Sequence, residues 1–318
     1  MALKIPSTLK LAQLKALAFK CGISTSGTKP ILSQRLVDEI TSTPPNVSSP
    51  TRILSIDMGI RNLAYCILDV PQKRVSKSKE SIQAALPSIL AWHRLAVSSA
   101  PKQSGDIDTP PTKEAFDPAT LSIAAYTLLR QRMLLEKPTH ILIERQRFRS
   151  MGSKHILEWT VRVNMFESIL YAVLCTLKEE GVWKGEVKAI QPGKVGPFWV
   201  DEGKDEGEGK KRASKSPKVQ NKGAKIDLVR KWLLDEDMVA LGSESVKNIA
   251  KAYQEKWERL PGRAKGRSKG AEESPQEKMG KLDDLADCLL QAMAWVQWEE
   301  NKRTALKYGV EALLEHCP

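Results

Sequence analysis

The 318-residue sequence has few of the residues that build disulfide frameworks and zinc sites. Its five cysteines are odd in number and form no C-x-x-C motif, and its four histidines are far apart. We therefore expect neither a disulfide framework nor a histidine-based metal site, and a reducing compartment fits this composition. No apolar run approaches the ~20 residues that a membrane span needs, so we expect no membrane partner.

Acidic residues are absent before Asp38, whereas four lysines occur in the first 20 residues. A basic, acid-poor and amphipathic start is typical of a mitochondrial transit peptide. Arginine is also absent before Arg35, and transit peptides are usually rich in it. The same stretch also fits a folded helix, so both interpretations stay open.

Residues 1–42 favour a small helical module with two apolar stripes, in "STLKLAQLKALAFKCGI" and "TSGTKPILSQRLVDEI". Ser7 is a plausible N-cap of the first helix and Gly22 a plausible stop. The pattern resembles the SAP motif, a DNA-binding module, and the alternative is an ordinary helical hairpin. The resemblance implies that the turn and the start of the second helix approach DNA phosphates, through Ser26, Gly27, Lys29 and Arg35.

Positive charge exceeds negative charge over the whole chain, with 50 Lys and Arg against 38 Asp and Glu and a net charge of +12. A surplus of this size favours a polyanionic partner, usually nucleic acid. The alternative is a soluble protein that is merely basic.

After a linker at 43–51, residues 52–318 predict one α/β domain. Its expected order is three strands, a helix, a strand, a long helix, a strand and a late helix, which indicates a mixed sheet flanked by helices. The expected strands are 53–57, 63–69, 89–97 and 139–146, with a strand and turn in 185–195. One expected helix starts after Pro118, and four others cover 156–181, 225–240, 243–260 and 281–303. Charged, flexible insertions are expected near 201–224 and 261–278.

Carboxylates occur where an apolar pattern predicts burial. Asp57 and Glu144 each interrupt an apolar strand, and the late helix carries Asp283, Asp284 and Asp287 at i,i+3 and i,i+4 spacing. A lone buried carboxylate costs several kcal/mol unless it is paired or binds metal. These acids are therefore candidates for a divalent-metal cradle, although each alone is also typical of a turn or a charged helix face.

This order of acids and elements is similar to that of the ribonuclease-H-like nucleases and, among them, of the RuvC-type junction resolvases. Still closer, "ILSIDMGIRNLAYCILD", "ILIERQRFRS", "AIQPGKVGPFW" and "KLDDLADCLLQAMAW" resemble the fungal mitochondrial cruciform-cutting resolvases. The resemblance implies a homodimer in the mitochondrial matrix, associated with the nucleoid. Its activity would be paired nicking of four-way (Holliday) DNA junctions, which leaves 5′-phosphate and 3′-hydroxyl ends.

The same resemblance implies a catalytic site with two Mg²⁺ or Mn²⁺ ions. Asp57, Glu144 and Asp287 would be ligands, and either Asp283 or Asp284 would supply the fourth. Gly59 would let a phosphate approach the turn after the first strand.

Several further residues are candidates for DNA contact. Arg61 and Asn62 would touch a phosphate or else cap the turn after Asp57. A basic cluster follows Glu144 directly, where scissile-strand phosphates would lie, with Lys194 in a later loop; these candidates are Arg145, Gln146, Arg147, Phe148, Arg149, Lys154 and Lys194. The helix at 156–177 is either a dimer face or core.

Other functions remain in competition at this point. The chain could be another ribonuclease-H-like nuclease or a transposase. It could also be a non-catalytic SAP-type DNA-binding protein in which the acids are incidental. An actin-like ATPase would need further glycine-rich phosphate loops, and the sequence has none.

Overall fold

A computed structural model describes residues 3–44, 50–71, 85–97, 116–146, 157–200, 217–259 and 282–314. The chain forms two compact units. The first comprises Met1–Ser49, Pro192–Lys225 and Leu290–Pro318, and the second comprises Pro50–Gln191 and Ile226–Leu289.

The described residues contain eight α-helices and six strands. The helices are α1 (Leu11–Lys20), α2 (Lys29–Thr41), α3 (Pro118–Leu128), α4 (Glu158–Glu179), α5 (Pro192–Val200), α6 (Pro217–Asp235), α7 (Glu244–Glu258) and α8 (Leu282–Tyr308). The strands are β1 (Thr51–Asp57), β2 (Leu63–Val70), β3 (Ser88–Leu95), β4 (His140–Glu144), β5 (Glu186–Ile190) and β6 (Ala240–Leu241).

The second unit is built on one mixed sheet with the strand order β5-β4-β1-β2-β3-β6. β2 is antiparallel to both β1 and β3, whereas β4 is parallel to β1 and to β5, and β6 is parallel to β3. Because β1 and β4 are parallel neighbours, their carboxyl ends lie at the same edge of the sheet. The predicted mixed sheet flanked by helices is confirmed.

The two faces of this sheet are covered by different helices. Side chains of Leu54, Ile56, Ile141 and Ile143 point to one face, where they share a core with α3 and α4. Since side chains alternate along a strand, Asp57 points to the opposite face, as does Cys66 of β2. The thiol of Cys66 lies 3.3 Å from the carbonyl of Cys288, so the first turns of α8 cover that face.

The first unit has a separate core. The apolar faces of α1 and α2 pack together and against residues near the end of the described chain: Ala305, Val310 and Leu313. The guanidinium of Arg35 donates to the carbonyls of Ser24 and Ser26, at 2.9 and 2.7 Å, and so braces the turn between the helices. The predicted helix pair therefore exists, whereas the SAP function and the boundaries at 42 and 51 stay predictions.

The structure corrects the sequence-based elements at three places. Ser7 is not the N-cap of α1, because a turn closes from Leu9 to Pro6 and the helix begins at Leu11 instead. The segment after β5 is helix α5 rather than a turn; its buried Val195 and Phe198 are three residues apart. The insertion expected near 201–224 is helical from Pro217, a residue that fits a first helical position.

Among the described helices, α4 is long and apolar enough to cross a membrane by length and composition, contrary to the expectation from apolar runs. Its inner face nevertheless belongs to the core of the second unit, through Val163, Phe166, Leu170 and Leu174. A core helix of a soluble protein meets the same criterion, so this is weak evidence for a span.

The glycine after α1 offers a test of packing in the first unit. Gly22 has φ +67°, and a Cβ there would overlap the indole ring of Trp298, whereas Gly181 has φ +70° and nothing within 4 Å of such a Cβ. The left-handed backbone costs alanine about 1–2 kcal/mol at either site, and overpacking adds about 1–3 kcal/mol at Gly22 only. In urea denaturation we expect Gly22→Ala to lose clearly more unfolding free energy than the control Gly181→Ala. Equal losses would contradict the packing of Gly22 on Trp298.

Candidate active site

Two carboxylates meet at the carboxyl ends of the central parallel strands. Ile56 of β1 pairs with Ile143 of β4, so the next residues, Asp57 and Glu144, lie at the same level. A hydrogen bond joins the two side chains. Two carboxyl groups close enough to form a hydrogen bond need a shared proton or a cation between them.

Two acids of α8 approach the same place. Asp57 keeps some solvent exposure, but its surroundings are dense, and this burial is the main reason why its pKa is raised well above the ordinary value. The charge and hydrogen bond of Glu144 raise the pKa further, as do the charges of Asp287 and Asp284. Four sequence-predicted acids therefore converge, from two strands and one helix.

Side chains of the sheet hold α8 in the rotation that brings these acids inward. The indole Nε1 of Trp92 donates to the carbonyl of Leu285 at 3.0 Å. Two residues farther along β3, the Nε of Arg94 donates to Oδ2 of Asp284 at 2.8 Å. The first turns of α8 are thus fixed by contacts with successive residues on one face of β3.

The structure also separates the two neighbouring aspartates. Asp284 acts on Asp57, whereas Asp283 is one of the charges that raise the pKa of Tyr253, after burial, Asp227 and Asp287. This placement favours Asp284 over Asp283 as the fourth acid of the site. The assignment of all these residues as metal ligands stays a prediction.

The donor set fits a hard divalent cation, which prefers carboxylate oxygens. The hydrogen bond between Asp57 and Glu144 also supports a cation site. One of the two carboxyl groups must hold a proton to form it, and a bound cation would relieve the same repulsion without that proton. Among the described residues, no group of three or more His, Cys, Asp and Glu side chains already has the spacing of a coordination shell. Binding of a cation would therefore need the carboxylates to move from the positions that they have in this structure.

Arg61, in the turn after β1, stacks on aromatic rings. Its guanidinium lies 4.9 Å from the ring centre of Trp159 and 5.6 Å from that of Phe116. The guanidinium of Arg162 lies 4.5 Å from the same Phe116 ring. Two arginines thus surround the aromatic pair of Phe116 and Trp159. Arg61 is four residues after Asp57, and Trp159 lies in the first turn of α4.

The other candidates next to the acids are held by their neighbours. Asn62 accepts a hydrogen bond at Oδ1 from Arg94. The backbone N–H of Gln146 donates to Oε2 of Glu167 at 3.1 Å, and its side-chain amide lies 3.5 Å from Oε2 of Glu144. The backbone N–H of Arg145 donates to the carbonyl of Ile190, and its side chain is exposed.

The remaining predicted DNA contacts lie elsewhere. In the first unit, the ammonium groups of Lys29 and Lys194 donate to the carbonyls of Ser7 and Gly22, each at 2.7 Å. Burial lowers the pKa of Lys194, so this lysine contributes to packing as well as charge. Four candidates fall outside the described residues: Arg147, Phe148, Arg149 and Lys154.

Sequence reasoning missed the residues that support the acids, above all Arg94 and Glu167. The sequence holds a weak signal for Arg94, because Trp92 and Arg94 are two residues apart in a predicted strand and so share one face of it. Glu167 gives no such signal, since an acid on an amphipathic helix is ordinary.

The comparisons with known proteins agree with this geometry. The family described as "Mitochondrial resolvase Ydc2 / RNA splicing MRS1" matches residues 53–305. The chain belongs to this family. It is 27% identical over 298 residues to cruciform cutting endonuclease 1, mitochondrial, of Schizosaccharomyces pombe, which covers 92% of this chain and 93% of that protein.

Two further proteins are similar to this chain over most of its length. The protein of the same name in Saccharomyces cerevisiae is 25% identical over 313 residues, or 92% of this chain and 82% of that protein. The crystal structure of the yeast mitochondrial Holliday junction resolvase Ydc2 matches with a TM-score of 0.59 at 25% identity, and the match covers 98% of this chain and 100% of Ydc2.

The raised pKa of Asp57 predicts a pH-dependent cost to stability when no divalent cation is present. Because the folded protein holds this proton more tightly than the unfolded chain, stability in EDTA falls as the pH rises above the ordinary pKa of an aspartate. Asparagine cannot ionise, so we expect Asp57→Asn to raise unfolding free energy in EDTA near pH 8 by about 1–3 kcal/mol. Thermal melts from pH 5 to pH 8 measure this gain.

A matched control for that experiment lies at the opposite end of β1 and β2. There Asp69 pairs with Arg52 at 3.2 Å, so Asp69→Asn removes a carboxylate that has a cationic partner. We expect this control to leave stability unchanged or lower. An Asp57→Asn protein that is less stable than the wild type at pH 8 in EDTA would contradict a repulsive acid cluster.

Proposed function

We propose that the protein is a structure-selective endonuclease that resolves four-way DNA junctions in the mitochondrial matrix, in association with the nucleoid. The observation that carries the proposal is the convergence of Asp57, Glu144, Asp284 and Asp287. Membership of the Ydc2 family supports it, as do two relatives named as mitochondrial cruciform cutting endonucleases.

The four carboxylates would hold two Mg²⁺ or Mn²⁺ ions. Such ions neutralise charge on a phosphate and lower the pKa of water, which supplies the nucleophile for in-line attack. The products would be a 5′-phosphate and a 3′-hydroxyl at each nick.

The protein's own residues position the DNA. Asp57 and Glu144 lie at the edge of the sheet, and Arg61 lies four residues beyond Asp57, where its guanidinium is held over Trp159 and Phe116. A guanidinium presents a planar fork of N–H donors that matches the geometry of phosphate oxygens. We propose that Arg61 and Asn62 contact the backbone near the cut and that Arg145, Gln146, Arg147, Phe148, Arg149 and Lys154 extend this surface.

A DNA contact by the N-terminal helices is a separate part of the proposal. Its support is the SAP-like pattern and the absence of acids before Asp38. Lys29, at the start of α2, is exposed even though its ammonium caps a carbonyl, and Lys194 lies in the same unit.

We also propose that the protein acts as a homodimer through the outer faces of α3 and α4. Exposed apolar side chains lie on both helices: Ile123 is 70% exposed, Tyr126 47% and Val161 50%. Between the helices lies a groove of about 370 Å³, lined by Tyr126, Ile169, Ala172 and Val173 among others. A second copy is the occupant that fits, because paired nicks on a symmetric junction require two active sites.

The family description also includes an RNA splicing protein. Binding RNA alone would not require four converging carboxylates, which repel a polyanion unless cations intervene. The acid cluster therefore favours the nuclease over a purely RNA-binding role.

The direct test is cleavage of labelled substrates by the purified protein with Mg²⁺. We expect a four-way junction to be cut at least 100-fold faster than a matched duplex or an RNA–DNA hybrid, and EDTA to abolish cutting. Comparable cutting of duplex and junction would overturn the proposed selectivity, and no cutting would overturn the nuclease.

Substitution of single acids checks the site in the same assay. We expect Asp287→Asn to bind the junction with wild-type affinity and to lose cleavage by a factor of about 100 or more. Asp283→Asn is the matched control on the same helix turn and should keep most activity. An inactive Asp283→Asn protein would add Asp283 to the site, and a fully active Asp287→Asn protein would remove Asp287 from it.

The dimer proposal predicts that a charge in the groove separates the copies. We expect Tyr126→Glu to be monomeric by light scattering at micromolar concentration, where the wild type is a dimer. Leu135→Glu is the control, because Leu135 is an apolar residue of the same unit, is 66% exposed, and is not among the residues lining the groove. A monomeric wild type, or a dimeric Tyr126→Glu protein, would contradict this interface.

A further inference from the structure

Arg94 lies in the same row of the sheet as the central acid. Asp57 of β1 pairs with Ala64 of β2, and Ala64 pairs with Arg94 of β3. Neighbouring strands are about 4.8 Å apart, so the backbone of Arg94 is roughly 10 Å from that of Asp57. The small side chain of Ala64 lies between them and leaves room for the acids of α8.

The guanidinium of Arg94 contacts two predicted site residues at once. Its Nε donates to Oδ2 of Asp284 at 2.8 Å, and its Nη2 donates to Oδ1 of Asn62. The pair is mostly shielded from water, since the side chain of Arg94 is 21% exposed and that of Asp284 is 16% exposed. At such burial, a guanidinium–carboxylate pair keeps a defined geometry better than an exposed surface pair does.

We propose that Arg94 is a positioning residue for the cleavage reaction, an inference that rests on the proposed nuclease function. Through Oδ2, Arg94 orients the carboxylate of Asp284 toward the other acids, as hydrogen bonds to metal-ligating carboxylates commonly do. Because Arg94 donates to Oδ1 of Asn62, the NH₂ group of the same amide points away from Arg94. One side chain thus orients both a carboxylate that would bind the cation and an amide donor that suits a phosphate oxygen.

The chemistry of arginine suits this role better than that of lysine. A planar guanidinium donates in two fixed directions and so can hold two acceptors on different elements. Its positive charge offsets one of the four converging carboxylates. Lys256 of α7 adds a nearby cation: burial and the charge of Arg94 lower its pKa.

The proposal makes a specific prediction for Arg94→Gln. Loss of the guanidinium leaves the acid cluster more negative, so Mn²⁺ should bind at least as tightly as to the wild type. Loss of orientation should slow single-turnover junction cleavage at saturating metal by about 10- to 100-fold. Arg94→Lys keeps the charge without the fork, and should restore only part of the rate.

Mn²⁺ binding, followed by electron paramagnetic resonance without DNA, and cleavage are measured for each variant beside its melting temperature. Arg52→Gln is the matched control, because Arg52 pairs with Asp69 at the opposite end of the same sheet; both quantities should stay at wild-type values.

Three outcomes decide the proposal. Slower cleavage with Mn²⁺ affinity retained in Arg94→Gln supports it. Wild-type cleavage by Arg94→Gln overturns it, as does a parallel loss of Mn²⁺ binding, melting temperature and cleavage, which would indicate a purely structural role. Failure of the wild type to cut junctions would instead reject the nuclease itself.

Discussion

The second unit is organised around the meeting of Asp57 and Glu144 at the ends of two parallel strands. Only a sheet order that makes β1 and β4 neighbours brings these acids together. Folding therefore brings together charges that repel each other, and the raised pKa of Asp57 expresses that cost. Such a cluster lowers the stability of the fold when nothing is bound. A functional role accounts for it, if a cation and a phosphate complete the site.

Two kinds of positive charge offset this cluster in the proposed enzyme. The guanidinium of Arg94 is part of the chain and is held in place on the sheet, whereas a divalent ion can enter and leave. The permanent charge lies on the side of Asp284, two strands from Asp57. The strand-end pair of Asp57 and Glu144 is thus the part of the site that depends most on the exchangeable ion.

Much of this arrangement could be predicted from the sequence, because the acids interrupt apolar strands whose order fixes where they meet. The helix acids could not be assigned individually, since i,i+3 and i,i+4 spacings share a face. The contacts of Trp92 and Arg94 with α8, which the sequence does not reveal, help to set the rotation of that helix and favour Asp284. Helix α5 and the start of α6 were missed because charge and proline there concealed short apolar patterns.

Beside the acids, the thiol of Cys288 stays neutral. It lies between sheet and helix next to Cys66, and burial, with the neighbouring thiol and Asp57, raises the pKa of Cys288 well above its ordinary value. A thiolate here would add a fifth negative charge, whereas the thiol donates to the carbonyl of Leu285 at 3.1 Å. Small, uncharged side chains in this layer let α8 approach the sheet closely. The neutral thiol of Cys288 therefore adds no charge to the converging carboxylates.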